Sequence, residues 1–585
     1  VSALRFMLSV GKAGQPPFKI AAVKAPSLHA GSASLWCSDP NKLLWLPNDS
    51  GAIIGRLFSR KTCQPVDTLS ALETDSLVHS GGAAMMEHHW GAYVAVLQSE
   101  EARGYLILRD PSGLLPCYQA EIETHHVWAS DLQTLVQAGV DVSKVDWDRL
   151  HEHLQWPNVR RQHSCIAGVS ELAPGSARKL HAPDVDARML WTPWRFVHPD
   201  LAIPPDQAVA LLRETVFASI NALATGYRKI VVTVSGGLDS SIVCAALARG
   251  RHRFTCLTMA TADASGDESR YADAMASAVG APLTTRHYRA EKIDLGRSSA
   301  SHLPRPVGRA FLQELDQALA SEIEKEGADA IFTGNGGDNV FCFLHSAAPV
   351  VDRWRQEKRL SSVWTTLLDM CRVTQCDVPT MLHATFDLLR ARDAALWPEP
   401  DLSLLDPRRG LAAQTLPLTP YMETAGGQLP GKKAHVRLLQ RIQNSVEGHD
   451  RNAFPASYPA LLAQPIVETC LRISSWQWCA GGINRSVARR AFSGFLPRQV
   501  THRTSKAGPD SLTACVFEAG RPKLRELLLD GHLRENQIID PMAIEQLLAD
   551  PHASRSPLFY RLLDLADAEA WVRSRSIPNA IDTLT

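Results

Sequence analysis

The sequence predicts an α/β protein in two parts: a β-rich layered domain over residues 1–200, and over residues 201–585 a parallel sheet wrapped by helices that ends in a helical stretch. Three observations carry this reading. Short β-like runs broken by turns fill the first part. Strands and helices then alternate, which is the rhythm of a parallel sheet with helices on its faces. Between the two the chain is punctuated by Pro193, Pro199, Pro204 and Pro205, close to Trp191 and Trp194. A length of 585 residues also exceeds what one ordinary core supports.

In chain order, Gly91 to Leu97, Gly104 to Leu108 and His125 to Ala129 read as strands. Asp206 opens a helix with Val209, Leu212, Val216 and Leu223 on one face. Lys229 to Val234 is a β-branched strand, Ser241 to Arg249 a helix, and Phe254 to Ala260 a second strand. Helical periodicity covers Tyr271 to Val279 and Ala310 to Glu326, the latter stopped by Gly327, before the strand Ala330 to Thr333. Beyond about residue 345 the pattern is mainly helical with proline breaks, and neither internal repeats nor low-complexity tracts occur.

Charge and composition exclude several classes. Lys plus Arg equals Asp plus Glu at 61 each, so there is no basic excess for nucleic acid or an anionic membrane. No apolar stretch approaches the roughly 18 residues of a membrane span, and Phe6 to Val10 is too short for a signal-peptide core. A cytoplasmic protein is expected. The 12 cysteines include no Cys-x-x-Cys, which points to reduced, mostly buried thiols instead of a zinc site or a disulfide framework.

The strongest chemical signal is Ser235-Gly236-Gly237-Leu238-Asp239-Ser240-Ser241, directly after a strand and before a helix. Two glycines let backbone approach a polyanion, the serine hydroxyls donate to it, and the helix directs free N–H groups at it. An acid inside a phosphate loop needs a cation, so Asp239 implies Mg²⁺ shared with phosphate oxygens. The rival is a serine-capped βα turn, which explains neither the glycine pair nor the acid. A second glycine-rich stretch, Gly426 to Lys433, has the Walker A glycine and lysine spacing but Lys433 where a metal-binding hydroxyl is required, and no apolar strand before it. It is read as a flexible loop with solvated lysines.

The Ser235 loop resembles the pyrophosphate-binding loop of the N-type ATP pyrophosphatases, and within them the asparagine synthetase group. Its members carry a second signature after a later strand, here Gly334-Asn335-Gly336-Gly337-Asp338-Asn339. The resemblance implies that Asp239 and Asp338 hold Mg²⁺, that Ser235, Gly236, Gly237 and Ser240 hold ATP phosphates, and that Val234, Leu257 and Gly334 lie near the adenosine. Gly266-Asp267-Glu268 with Tyr271-Ala272 fits the same group, although acids at a helix start also serve capping. Arg485, Arg489-Arg490-Ala491-Phe492, Leu496-Pro497 and Arg503-x-x-Lys506-x-Gly508 resemble the segment that delivers the family's active-site lysine, so Lys506 is the candidate to stabilise charge growing in the transition state.

Residues 91 to 194 resemble the glutaminase half of the same enzymes through Gly91-Ala92-Tyr93, Arg109-Asp110-Pro111-Ser112-Gly113, Ala129-Ser130-Asp131 and Glu171-Leu172-x-Pro174-Gly175. The implied fold is a glutaminase-like (Ntn) layer joined to an ATP-pyrophosphatase domain of adenine nucleotide α-hydrolase type. That family uses an amino-terminal cysteine. The sequence begins Val1-Ser2-Ala3-Leu4, its first cysteine is Cys37, and no Asn-Gly pair precedes residue 200. A degenerate layer without glutaminase activity is therefore expected.

Without ammonia from glutamine, the nucleophile arrives with a substrate. Pro430-Gly431-Lys432 with His435, the run Leu461 to Glu468, and Gly481-Gly482-x-x-Arg485 resemble the lasso-peptide macrolactam synthetases. Asn335 stands where asparagine synthetases usually carry Glu and β-lactam synthetases Tyr, and an amide is neither acid nor base. The resemblance implies adenylation of an Asp or Glu side chain of a ribosomal precursor peptide. The peptide's own amine, with pKa about 7.7–8.0, then attacks it. A leader peptidase is the implied partner. The competing expectations are an amide ligase using ammonia or another small amine, and a non-catalytic scaffold that binds a precursor.

Overall fold

A computed structural model describes residues 2–11, 33–99, 104–123, 125–180, 187–261, 263, 266–391, 399–411, 421, 427–503 and 510–576. Its amino-terminal part stacks two antiparallel sheets. One has five strands, with Phe6–Gly11 between Ala33–Cys37 and His125–Ala129, continued by Tyr118–Ile122 and Val169–Glu171. The apolar run Phe6 to Val10 is thus an interior strand. The other has six strands and is centred on His89–Ser99, paired with Gly51–Ser59 on one side and Gly104–Arg109 on the other. Phe6, Leu8, Leu35, Ile54, Val94, Val96, Ile107 and Trp128 fill the space between them, the alternate-residue burial that stacked sheets require.

The carboxyl-terminal part is built on a five-stranded parallel sheet: β1 (Ile230–Thr233), β2 (Phe254–Ala260), β3 (Leu283–His287), β4 (Ala330–Thr333) and β5 (Ala456–Pro459). The order is β3-β2-β1-β4-β5. Val231 lies opposite Thr255 and Ile331, so β1 is central and buried on both faces. The crossovers include α1 (Leu238–Arg249), α2 (Ser269–Val279), α3 (Gln313–Glu326) and α4 (Pro430–Ile442), and α5 (Ser486–Phe492) follows the sheet. The strand order reverses between β1 and β4. At such a switch point two adjacent loops diverge at the carboxyl ends of the strands and leave a crevice.

The two parts share one apolar core. A single cluster runs from Met86, Trp90 and Trp191 of the layer through Leu212 and Ile220 of the helix Pro205–Ala224 to Ile242, Phe332, Ile466 and Phe492. Polar contacts cross the same seam: Glu468 pairs with Arg60 and accepts from Trp191 Nε1 at 2.8 Å and Gln464 Nε2 at 2.9 Å.

The reading of Gly426 to Lys433 as a loop with solvated lysines is corrected in its described part; Gly426 itself lies outside the described residues. Pro430 occupies the first turn of α4, where its missing N–H costs nothing. Lys432 and Lys433 are buried, and Lys432 Nζ donates to the carbonyls of Leu471 and Ile473, the latter at 2.5 Å. Burial holds the Lys432 ammonium down at about 8, against the pull of Cys342 and Asp352. All 12 cysteines are free thiols. Among the described residues no helix is long and apolar enough to cross a membrane.

Candidate active site

The loop after β1 and the loop after β4 meet at the switch point. Val234 N donates to Leu257 O at 2.8 Å, extending the β1–β2 ladder to the edge of the crevice. The chain then turns through Gly236, at φ 66°, where a Cβ would stand 2.3 Å from Tyr271 Cβ. Ser235 Oγ accepts from Gly237 N at 3.3 Å and lies 3.4 Å from Ser240 Oγ, which closes the turn and starts α1. No side chain caps α1, so the first-turn N–H groups stay directed at the crevice.

The glycines of the second loop let it lie against the first. A Cβ on Gly334 would meet Ser240 N at 2.4 Å, and one on Gly337 would meet Asp239 Cγ at 2.2 Å. Asp239 and Asp338 each occupy the first turn of a short-range helix start, and they converge. Both carboxylates reach one guanidinium nitrogen: Arg485 Nη1 is 2.9 Å from Asp239 Oδ2 and 2.5 Å from Asp338 Oδ1. Arg485, with φ 54°, caps the start of α5 and lies over the Phe343 ring at 5.2 Å. Arg489, one turn on, donates to Thr501 O at 2.7 Å and Asn484 O at 2.9 Å. Burial, together with Arg485, holds its guanidinium down at about 10, against the pull of Asp239 and Asp338.

Around this cluster lies a cavity of about 640 Å³. Val234, Ser235, Gly237, Asp239, Ser240, Leu257, Gly334 and Asp338 all line it, while Gly236 sits behind the loop against Tyr271 and Ala272. Leu257, Met259, Leu315 and Leu319 make one wall apolar, and Arg309, Arg485, Arg489 and Arg503 make the opposite region basic. An apolar slot beside a basic floor is the arrangement that a base and its phosphates require. Lys506 lies outside the described residues.

Other residues singled out in the sequence have structural roles. Asp267 closes the turn before α2 by accepting from Ser269 N at 2.9 Å, and Glu268, at the start of that helix, pairs with Arg503 at 2.5 Å. His435 is buried, its Nε2 2.9 Å from Val340 O, with the imidazole pushed down to about 3 by burial and by Lys432. Glu468 belongs to the seam between the two parts. Arg109, Glu171 and Asp110 are buried inside the layer. Arg485 appeared in two sequence motifs without its role as the cation between the aspartates. The cavity residues Arg309, His449 and Ser457 carry no local motif at all.

The fold and this crevice define a nucleotide-using α/β domain joined to an antiparallel amidotransferase-type layer. Residues 211–573 match the family model described as asparagine synthase, and residues 70–191 match the model described as a glutamine amidotransferase domain. The chain therefore belongs to the asparagine synthase family and is an ATP-dependent ligase of that family. No curated protein matches it. Solved structures similar to it include the allosteric regulatory enzyme of purine biosynthesis, at 10% identity and TM-score 0.20 over 57% of this chain and 84% of that one. Another is the glutamine phosphoribosylpyrophosphate amidotransferase from B. subtilis complexed with ADP and GMP, at 10% identity and TM-score 0.19 over 57% and 85%.

Proposed function

We propose that this ligase closes a macrolactam ring in a ribosomal precursor peptide, as the lasso-peptide synthetases do. It adenylates an Asp or Glu side chain at the expense of ATP, and the peptide's amino-terminal amine displaces AMP to leave an isopeptide bond. The observation that carries the reading is the convergence of Asp239 and Asp338 on one cationic nitrogen beside the serine-glycine loop. Two hard carboxylate oxygens meeting at a phosphate cradle fit Mg²⁺, which takes one or two carboxylates and completes its shell with substrate phosphates and water. Mg²⁺ when bound there supplies charge neutralisation for the departing pyrophosphate.

In this scheme Ser235, Gly236, Gly237 and Ser240 bind phosphates, Val234, Leu257 and Gly334 contact the adenosine, and Lys506 offsets charge in the transition state. Asn335 supports a nucleophile that arrives on the substrate: its Nδ2 donates to Ser445 O at 3.2 Å, and its amide is neither acid nor base. Cys37, Cys63, Cys117 and Cys165 of the layer have thiols that burial pushes above their ordinary value, Cys117 and Cys165 to about 12, so none of these is a ready nucleophile. The layer, residues 1–200, then serves residues 201–585 as a wall. The enzyme works in the cytoplasm beside a leader peptidase.

Pyrophosphate release from ATP tests this. A leader-free precursor peptide should drive it, and free aspartate should not. Release driven by aspartate and ammonia would move the enzyme to the small-amine ligases, and no release under any condition would leave a precursor-binding scaffold.

A further inference from the structure

Behind the nucleotide cavity lies a second one of about 430 Å³, walled by Tyr118 and Asp131 of the layer and by His302 and Glu447 of the ligase part. Four residues line both cavities: Val446, Gly448, His449 and Ser457. Two of these four carry side chains able to move a proton, and they touch. Ser457, on β5 in register with Ile331 of β4, has its Oγ 3.1 Å from His449 Nδ1. The other imidazole nitrogen, Nε2, is 3.7 Å from Oδ1 of Asp316 on α3. That carboxylate oxygen is buried and has no hydrogen-bond partner among the described residues. Ser457 on β5, His449 in the segment before it and Asp316 on α3 thus form a chain of neighbours whose serine and histidine lie on the shared wall.

We infer that Ser457, His449 and Asp316 are the proton relay that deprotonates the attacking amine. This rests on the ligase reading above and deepens it. As the amine nitrogen bonds to the acyl carbon, the bond from that carbon to the adenylate oxygen breaks and AMP leaves as its anion. The amine's proton passes to Ser457 Oγ while that hydroxyl gives its own to His449 Nδ1. The tautomer that carries hydrogen on Nε2, toward Asp316, leaves Nδ1 free to accept. The Asp316 carboxylate offsets the imidazolium that forms, the role a buried carboxylate plays behind a catalytic histidine.

The surroundings keep His449 uncharged at rest and lower its basicity, so acceptance of the proton depends on the Asp316 carboxylate facing Nε2. Burial, with Arg309 and His302 nearby, pushes the His449 imidazole down to about 3, so it rests neutral. Arg309 also fixes the backbone by donating to Gly448 O at 2.5 Å. Burial raises the Asp316 carboxyl to about 6, with Arg309 and Arg297 pulling it back, so it is mostly ionised at neutral pH. Burial, against the pull of Asp450 and with Arg309, Arg575 and Arg305 nearby, holds His302 down at about 4, so it is neutral as well. The Phe454 ring, 5.1 Å from that of His449, closes the remaining side.

The test partitions one acyl adenylate between two nucleophiles. Hydroxylamine is largely uncharged at neutral pH and needs no base, whereas the substrate amine does. With leader-free peptide and ATP, the ratio of amide to hydroxamate should fall about 10²-fold in Ser457→Ala and in His449→Gln. It should fall less in Asp316→Asn, where raising the pH should recover amide formation. A ratio unchanged in both Ser457→Ala and His449→Gln, or amide and hydroxamate falling together, overturns the relay. If the wild type consumes aspartate and not peptide, the peptide reading fails separately, and the same ratio measured with aspartate and ammonia still decides the relay. If no carboxylate yields hydroxamate, both fall.

Discussion

The layer and the ligase part bury the same kinds of charged side chain and use them in opposite ways. In the layer, Glu171 accepts from Arg109 at 2.5 Å, pairs with Arg160 and lies 3.6 Å from Arg305, while Glu447 from the ligase part pairs with Arg160 and accepts from the Tyr118 hydroxyl. That network pairs its charges among themselves across the junction of the layer and the ligase part. At the switch point Asp239, Asp338 and Arg485 form an equally tight cluster that borders a cavity of about 640 Å³. Sequence motifs marked both places, the Ser235 loop the more strongly. What separates scaffold from site is position: one set ties the layer to the ligase part, the other lies at the carboxyl ends of parallel strands beside the Ser235 loop.

The sharpest way to break this comparison is Asp239→Ala. Turnover should fall by about 10³-fold or more, since charge stabilisation at a phosphate is lost. The thermal midpoint should stay within a few degrees of wild type, because Asp338 keeps the Arg485 guanidinium paired. A large loss of stability with modest loss of turnover would make the pair scaffold as well.

Glu171→Gln should do the reverse. Removing one partner strands the Arg109, Arg160 and Arg305 guanidinium groups in the interior, at a cost of about 3–5 kcal/mol in urea unfolding. Burial alone would raise the Glu171 carboxyl, but Arg160, Arg109 and Arg305 hold it down from the ordinary 4.5 to about 2. A group with a depressed folded value contributes fully above its unfolded value, and that contribution is lost as pH falls through the folded one. Wild type should therefore lose stability between pH 4.5 and 2, and the variant should show a shallower acid slope over that window.

Lys432→Met is the smallest and the most discriminating for motif reading. If the lysine is scaffold, ligase activity stays near wild type and stability at pH 7 changes by about 1 kcal/mol, since lost hydrogen bonds offset the relieved burial of charge. Its ammonium is lowered from 10.5 to about 8, so the unfolded chain binds more protons between those values and wild-type stability should rise with pH there. The variant should lack that rise. A collapse of nucleotide binding would return Gly426 to Lys433 to the phosphate loops.

Much of the ligase part was legible because its signals are local. The strands Phe254–Ala260 and Ala330–Thr333 are short apolar runs with turn residues on both sides, and the sequence reading and the structure agree on their ends. The two edge strands escaped. Leu283–His287 has a single apolar residue and is largely exposed, and Ala456–Pro459 carries a proline that only an edge tolerates. The Ser235 and Gly334 loops announced a phosphate site through glycines whose missing Cβ atoms let one loop lie on the other. Nothing local announces that Arg485 stands between the aspartates, or that Asp316, His449 and Ser457 align. Each of those depends on elements far apart in the chain. Lys432 misled for the same reason, since its two carbonyl acceptors follow it by some 40 residues.

The apolar cluster that runs unbroken from Trp90 to Phe492 has an evolutionary corollary. A lineage could abandon every reaction once run in the amino-terminal layer and still be unable to discard the layer, because excision would strip the inner face of the ligase bare and leave it to aggregate. Its presence is thereby also an obligation of folding.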